Sequence, residues 1–198
     1  MPDVITILGF DPAFGITGWC VVEFNTISQK FLVKKTGLFK ISPKVRLKLY
    51  RGPVAYFGRK VVEMDYLDAM LKDMVATHKP DYVASEDVYV DRRRIKAFRS
   101  LDRWLATAEL FLHSIGKNLF KVATKSAKLS ITGTGGASKF SVQDIILARD
   151  DIEFKQKDIC TLSEHEADAI AVVHHFGKVI YPTLGENHGT VYAEPSGK

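Results

Sequence analysis

The chain has few cysteines and no long apolar run. Only two of its 198 residues are cysteine, Cys20 and Cys160, and both lie in apolar-looking segments. Two isolated thiols do not make a disulfide framework, so we expect buried free thiols in a reducing compartment. No apolar run reaches the roughly 18 residues that a membrane span needs. The first residues also lack the basic-then-apolar pattern of a secretory signal. These absences favour a cytoplasmic protein with no membrane partner.

The composition is that of an ordinary globular protein, with 46% hydrophobic and 26% charged residues. The length predicts one domain over residues 1–180. Residues 181–198 hold two prolines, three glycines and few apolar residues, which predicts a loosely ordered tail. The net charge of +5 is compatible with a polyanionic partner without requiring one.

Hydrophobic periodicity predicts an α/β protein. Alternating or continuous apolar runs predict strands, and apolar positions at helical spacing predict helices. The predicted strands cover residues 3–11, 16–24, 30–40, 81–87 and 119–123, and the predicted helices cover 53–78, 95–115, 124–131, 138–149 and 164–177. This order predicts a mixed five-stranded sheet, with strands 1–3 antiparallel, the later strands parallel, and helices on both faces.

Three acidic residues stand in unusual positions. Asp11 and Glu86 each end an apolar run, and Asp168 lies in a segment that reads as the start of a helix. A carboxylate at the tip of a buried strand is costly unless a cation compensates it. If the first and fourth strands pair in parallel, Asp11 and Glu86 meet at one sheet edge. The pattern therefore predicts a carboxylate site for Mg²⁺ or Mn²⁺.

The last predicted helix offers two candidates for a fourth ligand. His165 and Asp168 are three residues apart and share a helix face, and Glu164 and Asp168 are four apart and also share one. The sequence leaves the choice between His165 and Glu164 open. Each acid also has a simpler interpretation, as a turn cap, a surface strand end or a solvated first helical turn. Two apolar strands that both end in acids favour the functional interpretation.

Three segments resemble the RuvC family of Holliday junction resolvases, which belong to the ribonuclease H-like superfamily. They are ILGFDP at 7–12 with Thr-Gly at 17–18, PDYVASEDVY at 80–89, and HEADAIA at 165–171. Residues 46–50 and 126–143 are also similar, and the similarity runs in order over residues 4–176. The segments between the motifs diverge and the tail is unusual, which favours a bacteriophage member over a bacterial one.

The resemblance implies a ribonuclease H-like fold, a homodimer, and metal-dependent nicking of four-way DNA junctions. Asp11, Glu86 and Asp168 match the family's acidic ligands, and His165 falls where many members have Asp and some have His. Two Mg²⁺ ions per site, replaceable by Mn²⁺, would suit in-line displacement at phosphorus. The expected products carry 5′-phosphate and 3′-hydroxyl ends. The expected setting is the cytoplasm, that of the bacterial host for a phage protein.

Basic and aromatic residues near these motifs are candidate DNA contacts. Positive side chains follow Glu86 closely, at Arg92, Arg93, Arg94 and Lys96, and are well placed to hold phosphates. A solvated helix face is the alternative interpretation. Tyr89 stands where the family has an aromatic residue thought to wedge at the junction crossover. Its alternative is packing against the next helix.

A glycine-rich turn at residues 132–139 links two short predicted helices. Such a turn at a helix N-terminus presents backbone N–H groups to a phosphate, although it does not fit the nucleotide P-loop pattern. Lys125, Lys128 and Lys139 match basic positions of the family, so we interpret them as DNA contacts. A plain connector between helices is the alternative.

Three other functions compete with junction resolution. A flap or replication-fork nuclease of the same fold would use the same residues, because branched DNA is recognised by shape rather than by base contacts. An actin-like ATPase is disfavoured, since Pro12-Ala13 replaces the expected glycine and 198 residues are too few for two such domains. An inactive DNA-binding module is disfavoured because a competent side chain occupies every ligand position.

Overall fold

A six-stranded sheet organises the part of the chain that this computed structural model describes, namely residues 2–13, 16–40, 59–88, 95–134, 139–155 and 161–186. The strands are β1 Val4–Asp11, β2 Ile16–Asn25, β3 Lys30–Lys40, β4 Tyr82–Glu86, β5 Leu119–Val122 and β6 Ile152–Phe154. The helices are α1 Arg59–His78, α2 Ile95–Ser114, α3 Thr124–Thr132, α4 Lys139–Ala148 and α5 Glu164–His175, followed by a π-helical turn, Phe176–Ile180, and α6 Tyr181–Glu186.

The strand order is β5-β4-β1-β2-β3-β6. β1, β2 and β3 form an antiparallel meander, whereas β4 pairs in parallel with β1 and β5 in parallel with β4. The predicted mixed sheet is therefore confirmed. The predicted number of five strands is wrong, because β6 adds a sixth strand parallel to β3. β6 has only three residues, which is too short to show an alternating pattern in the sequence.

Helices cover both faces of the sheet, as predicted. Successive side chains of β1 point to opposite faces, so Ile5 and Ile7 pack into one core and Leu8 and Phe10 into the other. The first core holds α3, α4 and α5, and the second holds α1 and α2. The two long crossover connections from β1 to β4 and from β4 to β5 account for the helices on the second face.

α5 lies unusually close to the sheet. A Cβ atom added to Gly9 of β1 would lie 2.9 Å from the carbonyl oxygen of Ala169, and one added to Gly18 of β2 would overlap the backbone of His165. Ala167 and Ala171 of α5 are also fully buried and small. Glycine on the strands and alanine on the helix thus let the two backbones approach, which sets the height of α5 above β1 and β2.

A polar network holds the other end of α5. The Nδ1 atom of buried His174 lies 3.2 Å from the Ser130 hydroxyl of α3, and its Nε2 lies 3.3 Å from an Asp151 oxygen. Arg149 donates two hydrogen bonds to the Asp151 carboxylate, which hold the pKa of that carboxyl well below its usual range. Burial lowers the pKa of His174 to about 4, so the ring is neutral and structural at pH 7.

The predicted boundaries agree with the structure to within a few residues where both exist. Residues 53–58, the start of the first predicted helix, lie outside the described residues. Cys20 is buried with a free thiol, whereas Cys160 lies outside the described residues. Among the helices that are described, none combines the length and the apolar character required to cross a membrane.

The C-terminal segment is helical where the structure describes it. Tyr181 begins α6 and is only 4% exposed, because its ring packs edge-on against Phe24 at 6.2 Å between centroids and lies beside Tyr82. Tyr181 therefore belongs to the packed core, and the domain limit at residue 180 stays a prediction. Residues 187–198 lie outside the described residues, and the loosely ordered tail stays a prediction for them.

The Gly18→Ala variant tests the close approach of α5. The added methyl group meets the backbone of His165, so α5 must shift, and we expect unfolding to become easier by about 2 kcal/mol, or a Tm lower by about 4–8 °C. Gly116→Ala is the control: its φ is +71° but its Cβ would meet open space, so only a backbone cost of about 1 kcal/mol is expected. Equal Tm values for the two variants would contradict the packing constraint.

Candidate metal centre

Two strand ends place the first two acids. β1 and β4 are hydrogen-bonded neighbours that run in parallel, with Phe10 opposite Ser85, so the next residues on each strand are Asp11 and Glu86. The carboxyl ends of parallel strands meet at one edge of a sheet. Asp11 is buried, with 6% of its surface exposed, and Glu86 is partly buried. Asp11 and Glu86, 75 positions apart in the sequence, are therefore only one inter-strand spacing apart in the sheet.

The N-terminal turn of α5 supplies the other side of the site. The Ser163 hydroxyl accepts a hydrogen bond from the Glu166 amide, and the Glu166 carboxylate accepts one from the Ser163 amide at 3.0 Å. This capping box fixes where the helix starts. Gly18 allows that turn to lie directly on β2. As a result His165 and Asp168, one turn apart on one helix face, point toward the edge where β1 and β4 end.

The structure brings the three predicted carboxylates together. One oxygen from each of Asp11, Glu86 and Asp168 lies within 4.8 Å of the others. His165 is placed beside them, with its Nδ1 atom in direct contact with Asp11 Oδ2. Within the described ranges, this three-acid cluster includes neither His165 nor Glu164. The contact with Asp11 places His165 beside the three acids, and the choice between His165 and Glu164 as a fourth ligand stays a prediction.

The convergence of acids has an electrostatic cost. Burial, contact with Asp11 and the charge of Asp168 raise the pKa of Glu86 to about 9, against an ordinary value of 4.5. A hydrogen bond from the Thr124 hydroxyl to Glu86 Oε1 acts in the opposite direction. The neighbouring Asp11 also raises the pKa of His165. The cluster thus favours a proton, or another positive charge, at Glu86.

Comparison with known proteins gives this arrangement a family. The family model described as crossover junction endodeoxyribonuclease RuvC matches residues 55–175, more than half of the chain. This chain belongs to the RuvC family.

Two curated RuvC relatives match nearly the whole chain. RuvC of Endomicrobium trichonymphae is 25% identical over 190 residues, which cover 94% of this chain and 88% of that protein. RuvC of Chromohalobacter salexigens is 27% identical over 184 residues, which cover 90% of this chain and 87% of that protein. Both are named crossover junction endodeoxyribonucleases.

Solved structures share the fold. A Thermus thermophilus RuvC structure superimposes with a TM-score of 0.64 at 17% identity, covering 91% of this chain and 97% of that one. The yeast mitochondrial Holliday junction resolvase Ydc2 superimposes with a TM-score of 0.61 at 12% identity, covering 86% and 77%. The RuvC-like, ribonuclease H-like fold predicted from the sequence is therefore confirmed.

The residues present in this RuvC chain fit a hard divalent cation. Three carboxylates offer oxygen atoms, which are the ligands that Mg²⁺ and Mn²⁺ prefer. Burial and the neighbouring carboxylates raise the pKa of Glu86, so ionised Glu86 is favoured only when a positive charge lies at the same point. A cation held between Asp11, Glu86 and Asp168 would supply that charge. Both the ligand atoms and the charge of the cluster therefore favour a divalent cation.

The structure describes only some of the predicted DNA contacts of this RuvC chain. Tyr89, Arg92, Arg93 and Arg94 lie outside the described residues, and of Lys96 and Lys139 only the backbone, in α2 and α4, is described. The remaining two, both in α3, are exposed Lys125 and half-buried Lys128. Lys125 lines a cleft of about 480 Å³ next to the acidic cluster, together with Asp87, Val88, Ala123 and Thr124. The placement of Lys125 is compatible with a phosphate contact.

Sequence reasoning missed two residues that shape the site. In the sequence, Gly18 is visible only as part of a motif, although its lack of a side chain admits α5. Nothing in the local sequence pairs Thr124 with Glu86, 38 residues earlier. The Ser163–Glu166 capping box, in contrast, has a visible signature, Ser-x-x-Glu before an apolar run.

The Glu86→Gln variant tests the electrostatic cost. Because the folded protein binds the Glu86 proton more tightly than the unfolded chain does, the free energy of unfolding falls as the pH rises from about 4.5 through about 9. Glutamine does not ionise, so the variant lacks this fall in the free energy of unfolding. In EDTA at pH 8 we expect it to be more stable than wild type by about 2 kcal/mol, with the difference shrinking toward pH 5. Denaturant unfolding at several pH values measures it.

Glu109→Gln is the matched control, since Glu109 of α2 is half-exposed and pairs with Lys121 of β5, away from the three acids. Its stability difference from wild type should not change across the same pH range. Added Mg²⁺ should raise the Tm of wild type and of the control, but raise that of Glu86→Gln less, because bound ligand stabilises only the state that binds it. A Glu86→Gln protein that is less stable than wild type in EDTA at pH 8 would contradict the assignment.

Proposed function

We propose that this RuvC-family chain resolves four-way (Holliday) DNA junctions by paired symmetric nicks, as a metal-dependent endonuclease. The observation that carries the proposal is the cluster of Asp11, Glu86 and Asp168 at the carboxyl edge of β1 and β4. Family membership supports the DNA substrate, since the relatives are named crossover junction endodeoxyribonucleases. A related Thermus thermophilus RuvC has been solved in complex with a Holliday junction substrate. A cytoplasmic setting is proposed as well.

Mg²⁺ is the proposed cofactor, with Mn²⁺ able to replace it and two ions per site. Asp11, Glu86 and Asp168 would hold the ions, and His165 is the proposed fourth ligand or proton-transfer group. Bound ions would supply positive charge for the scissile phosphate and lower the pKa of the attacking water. The spread of ligands over β1, β4 and α5 presents oxygen atoms from three directions, which suits two adjacent ions.

The protein's own groups would position the reactants. Asp11 engages Nδ1 of His165, which orients the imidazole and raises its pKa. The Nε2 atom is then the ring nitrogen that would contact the attacking water or a phosphate oxygen. In-line attack with departure of the 3′ oxygen leaves 5′-phosphate and 3′-hydroxyl ends, and no covalent enzyme intermediate is needed.

The DNA would cross the edge of the sheet where the acids lie. Lys125 and Lys128 of α3 are proposed phosphate contacts, because they lie on the element that begins beside Glu86. Lys139, Lys96 and Arg92–Arg94 are proposed to extend the basic surface, and Tyr89 to stack at the crossover. A homodimer is proposed because two symmetric nicks require two active sites related by a two-fold axis.

A cleavage assay tests the proposal. We expect paired symmetric nicks in an end-labelled immobile four-way junction with Mg²⁺ or Mn²⁺, no nicks with EDTA, and little cutting of matched linear duplex. Sequencing gels give the positions of the cuts and the end chemistry. Equal cutting of flap and junction substrates would replace the proposal with a general branched-DNA nuclease. Tight binding without any cutting would indicate an inactive binding module.

The Asp11→Asn variant tests the assignment of the site. Loss of a residue that merely supports a metal ligand costs about 10–100-fold, so loss of a ligand should slow junction cleavage by more than about 100-fold. Junction binding, measured by gel shift in Ca²⁺, should change little. Asp81→Asn is the control, because Asp81 lies just before the opposite end of β4 and its carboxylate accepts from the Thr6 amide. Near wild-type cleavage by Asp11→Asn would refute the assignment.

A further inference from the structure

A threonine at the start of α3 reaches the acidic cluster. The Thr124 hydroxyl donates a hydrogen bond to Oε1 of Glu86. The sheet explains the proximity: β5 lies beside β4 with Val122 opposite Glu86, and the Asp87 amide donates to the Val122 carbonyl at 2.8 Å. The chain leaves β5 after Val122 and enters α3 two residues later. The pairing of β4 with β5 therefore places Thr124 next to Glu86.

The hydroxyl of Thr124 does not serve its own helix. The N-cap position of α3 is Ala123, which makes no side-chain capping bond. Two other hydroxyls on α3 behave as serine and threonine usually do in helices: Ser130 donates to the Ala127 carbonyl and Thr132 to the Lys128 carbonyl. Thr124 instead donates to a different element. This contrast indicates that its contact with Glu86 is not a by-product of local helix geometry.

Glu86 needs an external anchor more than an ordinary carboxylate does. Its oxygen lies within 4.8 Å of oxygens from Asp11 and Asp168, so in the ionised form that binds a cation, repulsion favours side-chain conformations of Glu86 that turn it away from the other two acids. A glutamate has three rotatable side-chain bonds and therefore several such conformations. Asp11 is engaged by His165, and Thr124 engages Glu86. Each of the two strand-end acids thus has a partner on a helix.

We propose that Thr124 is a positioning residue, whose hydroxyl holds Glu86 in the conformation that faces Asp11 and Asp168 and so raises the affinity of the site for its divalent cation. The inference rests on the proposed function, in which Glu86 is a metal ligand. Thr124 does not itself touch the cation; it acts through Glu86. Hydrogen-bonded partners of this kind fix ligand orientation in metal sites generally.

Threonine suits the role better than serine would. Its branched Cβ restricts χ1 to few conformations, and its backbone is fixed by β5 on one side and α3 on the other. Serine keeps the donor but loses the restriction. Valine keeps the shape and the restriction but loses the donor. The two substitutions therefore separate the hydrogen bond from the packing of the side chain.

Mn²⁺ binding by the full-length protein without DNA tests the proposal. Isothermal titration should give a Kd about 10-fold or more weaker for Thr124→Val than for wild type, and within about 3-fold of wild type for Thr124→Ser. Thr183→Val is the control, since exposed Thr183 donates to the Ile180 carbonyl in another part of the molecule. The Tm of each protein in EDTA shows that it is folded.

Junction cleavage supplies a second readout. The Thr124→Val protein should need about 10-fold more Mg²⁺ for half-maximal rate, and should recover most of the wild-type rate at saturating Mg²⁺. A loss that saturating Mg²⁺ does not reverse would overturn the positioning role. Equal Kd values for wild type and Thr124→Val would also overturn it, as would a folded Thr124→Ser protein as weak as Thr124→Val.

The experiment separates this inference from the function on which it rests. If wild type binds Mn²⁺ and cuts junctions but Thr124→Val binds equally well, only the positioning role is wrong. If wild type itself neither binds Mn²⁺ nor cuts junctions, the proposed function is wrong and the positioning role is overturned with it. Weak binding by Thr124→Val with recovery by Thr124→Ser supports both.

Discussion

The contact of α5 with β1 and β2 is the constraint on which the site depends. Gly9 and Gly18 leave no side chains between the sheet and the helix, and α5 presents small residues to them. The same helix packs in the larger of the two cores and carries His165 and Asp168 in its first two turns. A thicker contact would lift those two residues away from the strand ends. The distance between α5 and the sheet therefore determines both the packing of this core and the position of His165 and Asp168.

The cluster illustrates a conflict between stability and function. Asp11, Glu86 and Asp168 lie together in a partly buried place, and burial together with the neighbouring carboxylates raises the pKa of Glu86, so bringing the three groups together has an electrostatic cost. The fold tolerates it because the two strands are fixed by the sheet and α5 is fixed at both ends, by its capping box and by the His174 network. A site built to attract cations must remain undercompensated without them. The surrounding core offsets that cost.

Sequence reasoning found the acids because their signal is local. Asp11 and Glu86 each end an apolar run, and the helical spacing of His165 and Asp168 is visible directly. The parallel pairing that joins the strand ends followed from the long crossover between them. β6 could not be predicted, because three residues are too few to show a periodic pattern. The contact of Thr124 could not be predicted either, because it depends on β5 lying beside β4 in the sheet. The close approach at Gly18 depends on a helix almost 150 residues later, which no local pattern encodes.

The pairing of β1 with β4 has a consequence for how such a protein can vary. Asp11 and Glu86 are neighbours through backbone hydrogen bonds between two strands, so their separation does not depend on the length of the connecting segment between β3 and β4. Insertions or deletions in that segment leave the two acids in the same relation, provided that a crossover is still made. β2 is less free to vary, because its Gly18 admits α5 and so places His165 and Asp168. Related enzymes are free to diverge in the segment while keeping the same chemistry.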